Sequence, residues 1–245
     1  METVLAIGIL IAAGYVMATD PVHEALDDHS GTLKEYYVQG STFQDISTAL
    51  KKGYRLIELH VYSDEQDEPI VALRPAPPGS DIALESRTFE SACVTILQEA
   101  FPNKTPLILS IVSHTQKNFT MNRMAYHLNT TVRKQLISGA VLDKPLNALT
   151  DKLILVSGSE VRGTDLEPML NLSWNEESLR RLTYQQAAHP REPEEIRGFT
   201  QKGIVLVVPD EAFSRFKVLD DVYAYGCQWN LCPTLSARPG FISRG

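Results

Sequence analysis

One segment of the sequence places an acid and a base side by side in a strand-like pattern. The segment is Tyr54–Tyr62 and reads YRLIELHVY. Because the side chains of a strand alternate between two faces, Ile57 and its apolar neighbours share one face, while Glu58 and His60 share the other. A buried glutamate is costly unless it is paired. The pattern therefore indicates either a functional site or a structural Glu–His hydrogen bond, and both interpretations are open at this point.

Other histidines could join this pair. His114 follows an apolar strand at a position that shares the inward face of that strand. Histidine and glutamate are good ligands for zinc and iron. One hypothesis is therefore a metal site at which four residues converge, namely His29, Glu58, His60 and His114. The remaining histidines have no supporting neighbours and are predicted to lie on the surface; they are His23, His127 and His189.

Short apolar runs alternate along the chain with segments of helical period, which predicts parallel strands joined by helices. The predicted strands are Tyr54–Tyr62, Pro69–Leu73, Leu107–Ile111, Leu153–Val156, Ile204–Val208 and Gly226–Cys232. The predicted helices are 42–53, 89–100, 121–136 and Glu176–Gln186, the last followed by a charged loop, His189–Arg197. A doubly wound sheet and an eight-stranded barrel both accommodate this order. No glycine-rich phosphate loop follows the first strands, which disfavours a nucleotide-binding sheet.

Five segments resemble, in the same order, parts of the eukaryotic phosphatidylinositol-specific phospholipases C. They read HSGTLKEYYVQG, GYRLIELHVYSDEQDEPIVAL, AFPNKTPLILSIVSHTQKNFTMNRMA, KLILVSG and YGCQWNLCPT. The resemblance extends from His29 to Thr234. It implies a single domain over residues 19–245 with the α/β fold of that family, a TIM-type (β/α)8 barrel of the PLC-like phosphodiesterases. The barrel is thereby favoured over the doubly wound sheet.

The resemblance also implies which positions correspond to the catalytic residues of the family. In that family, calcium assists the attack of an inositol hydroxyl on a phosphodiester, with two histidines as acid and base. His29 matches the first histidine, and Glu58 matches a glutamate of the calcium site. The departures are Ser30 for a calcium-ligating Asn, His60 for an Asp, Leu73 for the second His, Val112 for a Glu, and Val156 and Gly158 for two phosphate-binding lysines.

These departures predict a loss of the family's reaction. Calcium prefers six or more oxygen ligands, so the one remaining carboxylate predicts that no calcium cofactor is held tightly. The loss of a general acid alone costs roughly 10²–10⁴-fold in rate. We therefore expect a catalytically impaired PLC-like protein with a vestigial site at His29, Glu58 and His60. The alternative is an active phosphoric diester hydrolase that uses a rearranged His/Glu site on a phosphoinositide or a related phosphodiester.

The N-terminus carries a targeting signal. The uncharged, mostly apolar stretch Val4–Ala18 ends in small residues, which is typical of a signal peptide spanning residues 1–18. Because no Lys or Arg precedes it, an uncleaved N-terminal membrane anchor is the alternative. Four N-x-S/T sequons support a secretory route, at Asn103, Asn118, Asn129 and Asn171. We expect the rest of the chain to be secreted or to lie in an extracytoplasmic lumen.

Charge and cysteine content limit the partners. The net charge of −7 argues against nucleic acid, which requires an excess of cations. A phospholipid headgroup or membrane surface, or a protein partner, could still occupy the cleft that the resemblance implies. The three cysteines, Cys93, Cys227 and Cys232, do not form a disulfide scaffold. They allow at most one bridge, and we expect them to be small buried apolar residues.

Overall fold

The structure is a computed structural model that describes residues 30–41, 45–72, 86–210, 220–231 and 240–244. Its strands are β1 (Tyr36–Ser41), β2 (Leu56–Ser63), β3 (Pro69–Ala72), β4 (Ser86–Thr88), β5 (Leu107–Ser113), β6 (Leu153–Ser157), β7 (Leu172–Ser173), β8 (Asn175–Glu176), β9 (Leu179–Thr183), β10 (Ile204–Val208), β11 (Trp229–Leu231) and β12 (Phe241–Ser243). Its helices are α1 (Ile46–Lys51), α2 (Phe89–Glu99), α3 (Asn118–Thr131), α4 (Tyr184–Ala188), α5 (Pro193–Thr200) and α6 (Asp220–Tyr223).

Eight parallel strands form a nearly closed barrel. Hydrogen-bonded neighbours follow the order β7–β6–β5–β2–β1–β11–β10–β9, and each pair along this path is parallel. Within the described ranges no ladder joins β7 to β9, so the barrel is open at that point. The strands follow one another round the barrel and the last meets the first. The predicted TIM-type barrel is confirmed, because a doubly wound sheet would reverse its strand order.

Four antiparallel strands are attached to the barrel, one of which, β8, pairs with β9. β3 returns against β2, and β4 pairs with β3. The predicted strand at Pro69–Leu73 is therefore present as β3, but it lies outside the ring, and Leu73 falls outside the described residues. β12 pairs with β1. The sequence patterns had predicted neither β1 nor β12.

The alternation predicted for β2 is confirmed. Its apolar outer face packs in a cluster with α1, α2 and α3 and consists of Ile57, Leu59 and Val61. Its inner face begins with Leu56, which is paired through β5 and β6 with Ile108 and Ile154. These three side chains form one layer of the barrel interior. Glu58 is the next inward residue of β2 and therefore lies in the layer above.

Local signals explain where the helices begin and end. Side-chain oxygens of Asp45, Thr88 and Thr183 accept backbone N–H groups at the starts of α1, α2 and α4, which satisfies donors that the helix leaves free. Gly53 follows α1 with φ of 87°, a conformation that favours glycine. The helices predicted at 42–53 and 89–100 are therefore present as α1 and α2, and each ends close to its predicted end.

The segment after β7 is where the predictions were wrong. The predicted helix Glu176–Gln186 is instead the hairpin β8–β9, followed by the short α4. The predicted loop His189–Arg197 contains most of α5, which begins at Pro193, a residue well suited to a first helical position.

Two further features complete the fold. Cys93 and Cys227 are free thiols that are fully buried, and burial raises the pKa of each to about 12; the expectation that they are buried is confirmed, and Cys232 lies outside the described residues. None of the helices in the described ranges combines the length and apolar character needed to cross a membrane. Residues 1–18, predicted to be a signal peptide or an N-terminal anchor, lie outside those ranges.

Candidate functional site

The site begins with a glutamate inside the barrel. Glu58 on β2 is 7% exposed and pairs in register with Ser110 on β5. The Ser110 hydroxyl donates a hydrogen bond to Glu58 Oε2 at 2.9 Å. A buried carboxylate at this depth is stable only if a cation or several donors compensate for the lost water. The structure provides both.

The cation is Arg181, which enters the barrel from the opposite wall. Its Nη1 and Nη2 donate to Glu58 Oε2 and Oε1 at 2.5 and 3.1 Å, which is the two-bonded geometry that fits a guanidinium to a carboxylate. Leu179 lies in the interior cluster, and Arg181 shares its face of β9 two residues later. The neighbouring Arg180 faces outward, where it pairs with Glu195 at 2.8 Å.

This pairing determines the charge of Glu58. Burial on its own would raise the pKa of Glu58, but the positive charge of Arg181 and the hydrogen bonds from His60 and Arg181 lower it to about 2. Glu58 is therefore ionised at every physiological pH. Its negative charge is already matched by the guanidinium within the barrel.

Two histidines extend the site from Glu58 toward the barrel mouth. His60 Nε2 lies 3.3 Å from Glu58 Oε1, and His60 Nδ1 is hydrogen-bonded to His114 Nε2 at 2.8 Å. The ring of His114 stacks on Tyr62 with the centroids 4.4 Å apart. The partial burial of that ring, and then the positive charge that His60 can carry, lower the pKa of His114 to about 4. His114 is therefore neutral at neutral pH.

The wall beside Arg181 is filled by two further side chains. The indole of Trp174 lies 4.9 Å from the Arg181 guanidinium, in cation–π contact. Glu160 accepts hydrogen bonds from the Gly158 amide and the Ser157 hydroxyl, both at 3.3 Å. A side chain at position 158 would clash with the Glu160 carboxylate and would approach Trp174 Nε1 to 2.5 Å. This part of the mouth therefore presents the Glu160 carboxylate, whereas an anionic ligand would need hydrogen-bond donors there.

The structure brings together three of the four candidate ligands that the sequence suggested. Glu58, His60 and His114 form one connected row, whereas His29 lies outside the described residues. Among the residues that are described, no set of three His, Cys, Asp or Glu side chains is placed to hold a metal ion. The Glu–His contact that sequence reasoning left open is therefore part of a larger polar network.

The other matched positions fall around this row. Val112 is half-buried on β5 directly opposite His60, and Val156 is fully buried in the interior. Ser30 is exposed. None of these three positions therefore places a charged side chain at the site.

One histidine was assigned wrongly. His127 was predicted to lie on the surface, but it is 6% exposed and its Nε2 lies 3.6 Å from Glu68 Oε2. The reason is helical period, because His127 follows Met124 by three residues and so shares its buried face on α3. His189 is exposed, as predicted, and His23 lies outside the described residues.

Sequence reasoning missed Arg181, Ser110 and Trp174. Arg181 was hidden because its segment was assigned to a helix, and a charged residue breaks the apolar alternation that marks a strand. The available signal was that Leu179 and Arg181 stand two apart just after a short polar turn. That spacing predicts an inward-facing arginine on a strand only when Glu58 is already known to need a cation inside the barrel.

The eight-stranded barrel, together with a family model, identifies the chain as a PLC-like protein. The family model described as phosphatidylinositol-specific phospholipase C, X domain, matches residues 28–155, more than half of the 245-residue chain. The chain therefore belongs to the phosphatidylinositol-specific phospholipase C X-domain family. A search of curated proteins found no match.

Solved structures agree on the fold. PLC21 of S. officinalis superposes with a TM-score of 0.69 at 14% identity, covering 84% of this chain and 34% of that chain. A calcium-dependent phosphoinositol-specific phospholipase C from the Gram-negative bacterium Pseudomonas sp. gives 0.60 at 8% identity, with coverages of 86% and 93%. A Ca²⁺-dependent enzyme from Streptomyces antibioticus gives 0.53 at 10% identity, with coverages of 82% and 94%. The chain thus spans about a third of PLC21 and nearly all of each bacterial enzyme.

Proposed function

We propose that the chain is a PLC-like phosphodiesterase-fold protein in which the calcium-dependent reaction is impaired and in which the barrel mouth serves for binding. The observation that carries this proposal is the state of Glu58. Arg181 occupies both oxygens of this carboxylate, and Ser110 donates to one of them as well. Both carboxylate oxygens of Glu58, the residue that the family resemblance assigns to the calcium site, are thus already bonded to side chains of the protein.

A calcium ion does not fit these residues. Calcium binds six to eight oxygens, mostly from carboxylates, carbonyls and water. To bind one, Glu58 would have to leave Arg181, and the guanidinium would then be a buried cation beside a divalent ion. Val112 and His60, at the two other positions that the resemblance matches to carboxylates, offer none. The calcium dependence of the Pseudomonas and Streptomyces enzymes is therefore not expected here.

The phosphate side of the mouth supports the same proposal. The two positions matched to phosphate-binding lysines hold Val156 and Gly158. Val156 is buried among apolar side chains, and the Gly158 amide is already bonded to Glu160. A headgroup whose inositol ring carries additional phosphates would meet the negative charge of Glu160 where the family would offer lysines, so a headgroup without ring phosphates is favoured.

The proposed ligand is a phospholipid headgroup or membrane surface, with a protein partner as the alternative occupant of the mouth. The family acts on phospholipids at membrane surfaces, which supports the first choice. The leader at residues 1–18 and the sequons support a location that is secreted or within an extracytoplasmic lumen, with an N-terminal anchor as the alternative.

The test is the release of water-soluble inositol phosphate from phosphatidylinositol vesicles by the purified chain. It is run with calcium, with zinc and with a chelator, alongside the variant Glu58→Gln. We expect no calcium-dependent release above the variant, and no calcium binding by calorimetry. Calcium-dependent release that disappears in Glu58→Gln would overturn the proposal, because it would show that Glu58 still holds the ion.

A second candidate function is hydrolysis of a phosphodiester without a metal ion. It is favoured by the row from Glu58 through His60 to His114. If His60 keeps its Nε2 proton toward Glu58, its Nδ1 accepts a hydrogen bond from His114 Nε2–H, and His114 Nδ1 is left with a lone pair. Because His114 is exposed and neutral at neutral pH, it could take a proton from a substrate hydroxyl.

The chelator arm of the same assay separates the two candidates. Release that persists in chelator and falls at least tenfold in both His60→Ala and His114→Ala would support the metal-free hydrolase. Release equal to the buffer blank in all arms would support the impaired barrel. The variant His189→Ala is the control, because His189 is exposed and lies on the segment between α4 and α5.

A further inference from the structure

Two of the four sequons place their asparagines on the solvent-facing side of α3. Asn118 is the first residue of this helix and Asn129 lies in its last turn, and both are exposed. The amide of Asn129 makes one long contact, 3.7 Å to the sulfur of Met169. A group attached to either amide nitrogen would extend into solvent without displacing a backbone hydrogen bond.

Asn171 is the opposite case. Its Oδ1 accepts the N–H of Leu155 on β6 at 2.9 Å. Its Nδ2 donates to the carbonyls of Ile137 and Gly139, at 2.8 and 3.2 Å. Asn171 thus ties a barrel strand to the segment that follows α3. The three partners are backbone groups, which carry a large cost if they lose their hydrogen bonds away from water.

We propose that Asn118 and Asn129 are N-glycan acceptors and that folding excludes a glycan from Asn171. The inference rests on the proposed extracytoplasmic location for its natural occurrence. The sequence motif alone does not distinguish the four sites. The structure distinguishes them by whether the amide nitrogen of the asparagine already donates hydrogen bonds to the backbone. Asn103 is half-buried in the turn before β5 and takes no part in the proposal.

The chemistry of the modification explains the division. The bond formed joins Nδ2 to the anomeric carbon of the donor sugar, and the bond broken joins that carbon to the pyrophosphate of a lipid-linked oligosaccharide. The amide gives up one proton, which leaves with the pyrophosphate. A glycosylated Asn171 would keep a single N–H for two carbonyls. Its sugar, which is bulky and strongly hydrated, would also stand where residues 137–139 pack.

The test uses the full chain placed behind an exogenous secretory leader in a eukaryotic cell line, so that the experiment itself provides entry into the lumen. Soluble protein from the medium and from the lumen is digested, and glycan occupancy is read at each sequon by mass spectrometry. We expect glycans at Asn118 and Asn129 and none at Asn171. Asn118→Gln and Asn129→Gln should each remove one glycan and leave the yield of soluble protein unchanged.

A folded protein with a glycan on Asn171, or one with bare Asn118 and Asn129, would overturn the proposal. A second arm uses unglycosylated protein made in bacteria. Asn171→Asp keeps the acceptor oxygen but removes both donors, so we expect it to lower the midpoint of thermal unfolding by roughly 4–10 °C, against no shift for Asn129→Asp. Equal midpoints would show that Asn171 is not needed for folding. Because neither arm measures phospholipid cleavage, failure here is distinguishable from failure of the proposed function.

Discussion

The two halves of the barrel contribute to the site in different ways. The first half, residues 36–157, has long strands, including β2 and β5 of eight and seven residues. It supplies the row of polar side chains that runs from Ser110 and Glu58 to His114. The second half, residues 172–231, has strands of two to five residues. It supplies to Glu58 one charged residue, Arg181.

The difference shows that the half of the barrel that the family model matches does not by itself determine which cation Glu58 binds. The family pattern matches residues 28–155, which include Glu58 but end before Arg181. The residues of the first half would allow the Glu58 carboxylate to bind either a metal ion or a charged side chain. The second half determines that this cation is a guanidinium from the protein itself.

The largest effect is expected from removing the contribution of the second half. Arg181→Met leaves Glu58 as an unpaired buried charge, which should lower the free energy of unfolding by about 3–5 kcal/mol. Urea denaturation at pH 7 measures this loss. Arg180→Met is the matched control on the same strand, because Arg180 pairs with Glu195 on the surface and should change the stability by less than about 1 kcal/mol. Equal losses in the two variants would refute the special role of Arg181.

The next effect concerns the pH dependence that the ion pair creates. The pKa of Glu58 is lowered from an ordinary 4.5 to about 2. Its contribution to stability is therefore full above pH 4.5 and is lost as the pH falls toward 2, a difference of about 3 kcal/mol. Urea midpoints measured between pH 6 and pH 2 should fall more steeply for the natural chain than for Glu58→Gln. Parallel curves would show that Glu58 is not held ionised by its partners.

The same contrast between halves explains how much could be predicted from sequence. The strands β2, β5, β6 and β10 are apolar and regular, so their pattern predicted parallel strands joined by helices and the inward position of Glu58, and the family resemblance then favoured the barrel. The hairpin β8–β9 is short and rich in charge, and its strand character comes from pairing with β10, which no local pattern encodes. A site residue that is charged, buried and compensated from across the barrel is visible only after the chain is folded.

A third effect tests how closely the first half is packed. Gly40 lies where β1 meets β2 and β11, and a Cβ there would approach the Leu56 carbonyl oxygen to 2.6 Å. Gly40→Ala should therefore destabilise the protein by about 1–3 kcal/mol. Gly198→Ala is the control in the second half, since Gly198 lies within α5 with open space around it. Alanine there should be neutral or stabilising by up to about 1 kcal/mol. Thermal unfolding of the two variants separates these outcomes.

The smallest effect is local and spectroscopic. His114 is partly exposed at the mouth and makes one hydrogen bond and one ring contact, so His114→Ala should lower the free energy of unfolding by less than about 1.5 kcal/mol. In the natural chain, however, NMR should show His114 titrating near pH 4 rather than near 6.5, because its ring is partly buried and faces His60. The unfolded chain takes up this proton first, so the contribution of His114 to stability is full above pH 6.5 and is lost as the pH falls toward 4.

The variant His60→Ala sharpens this last test. It removes the neighbouring charge and opens the ring to water, so the titration midpoint of His114 should rise toward 6.5. The variant His189→Ala, on an exposed residue outside the row, should leave that midpoint unchanged. If His114 already titrates near 6.5 in the natural chain, the ring is not held against His60 in solution. The first half of the barrel would then end its polar row at His60, and a proton-accepting role for His114 would lose its structural basis.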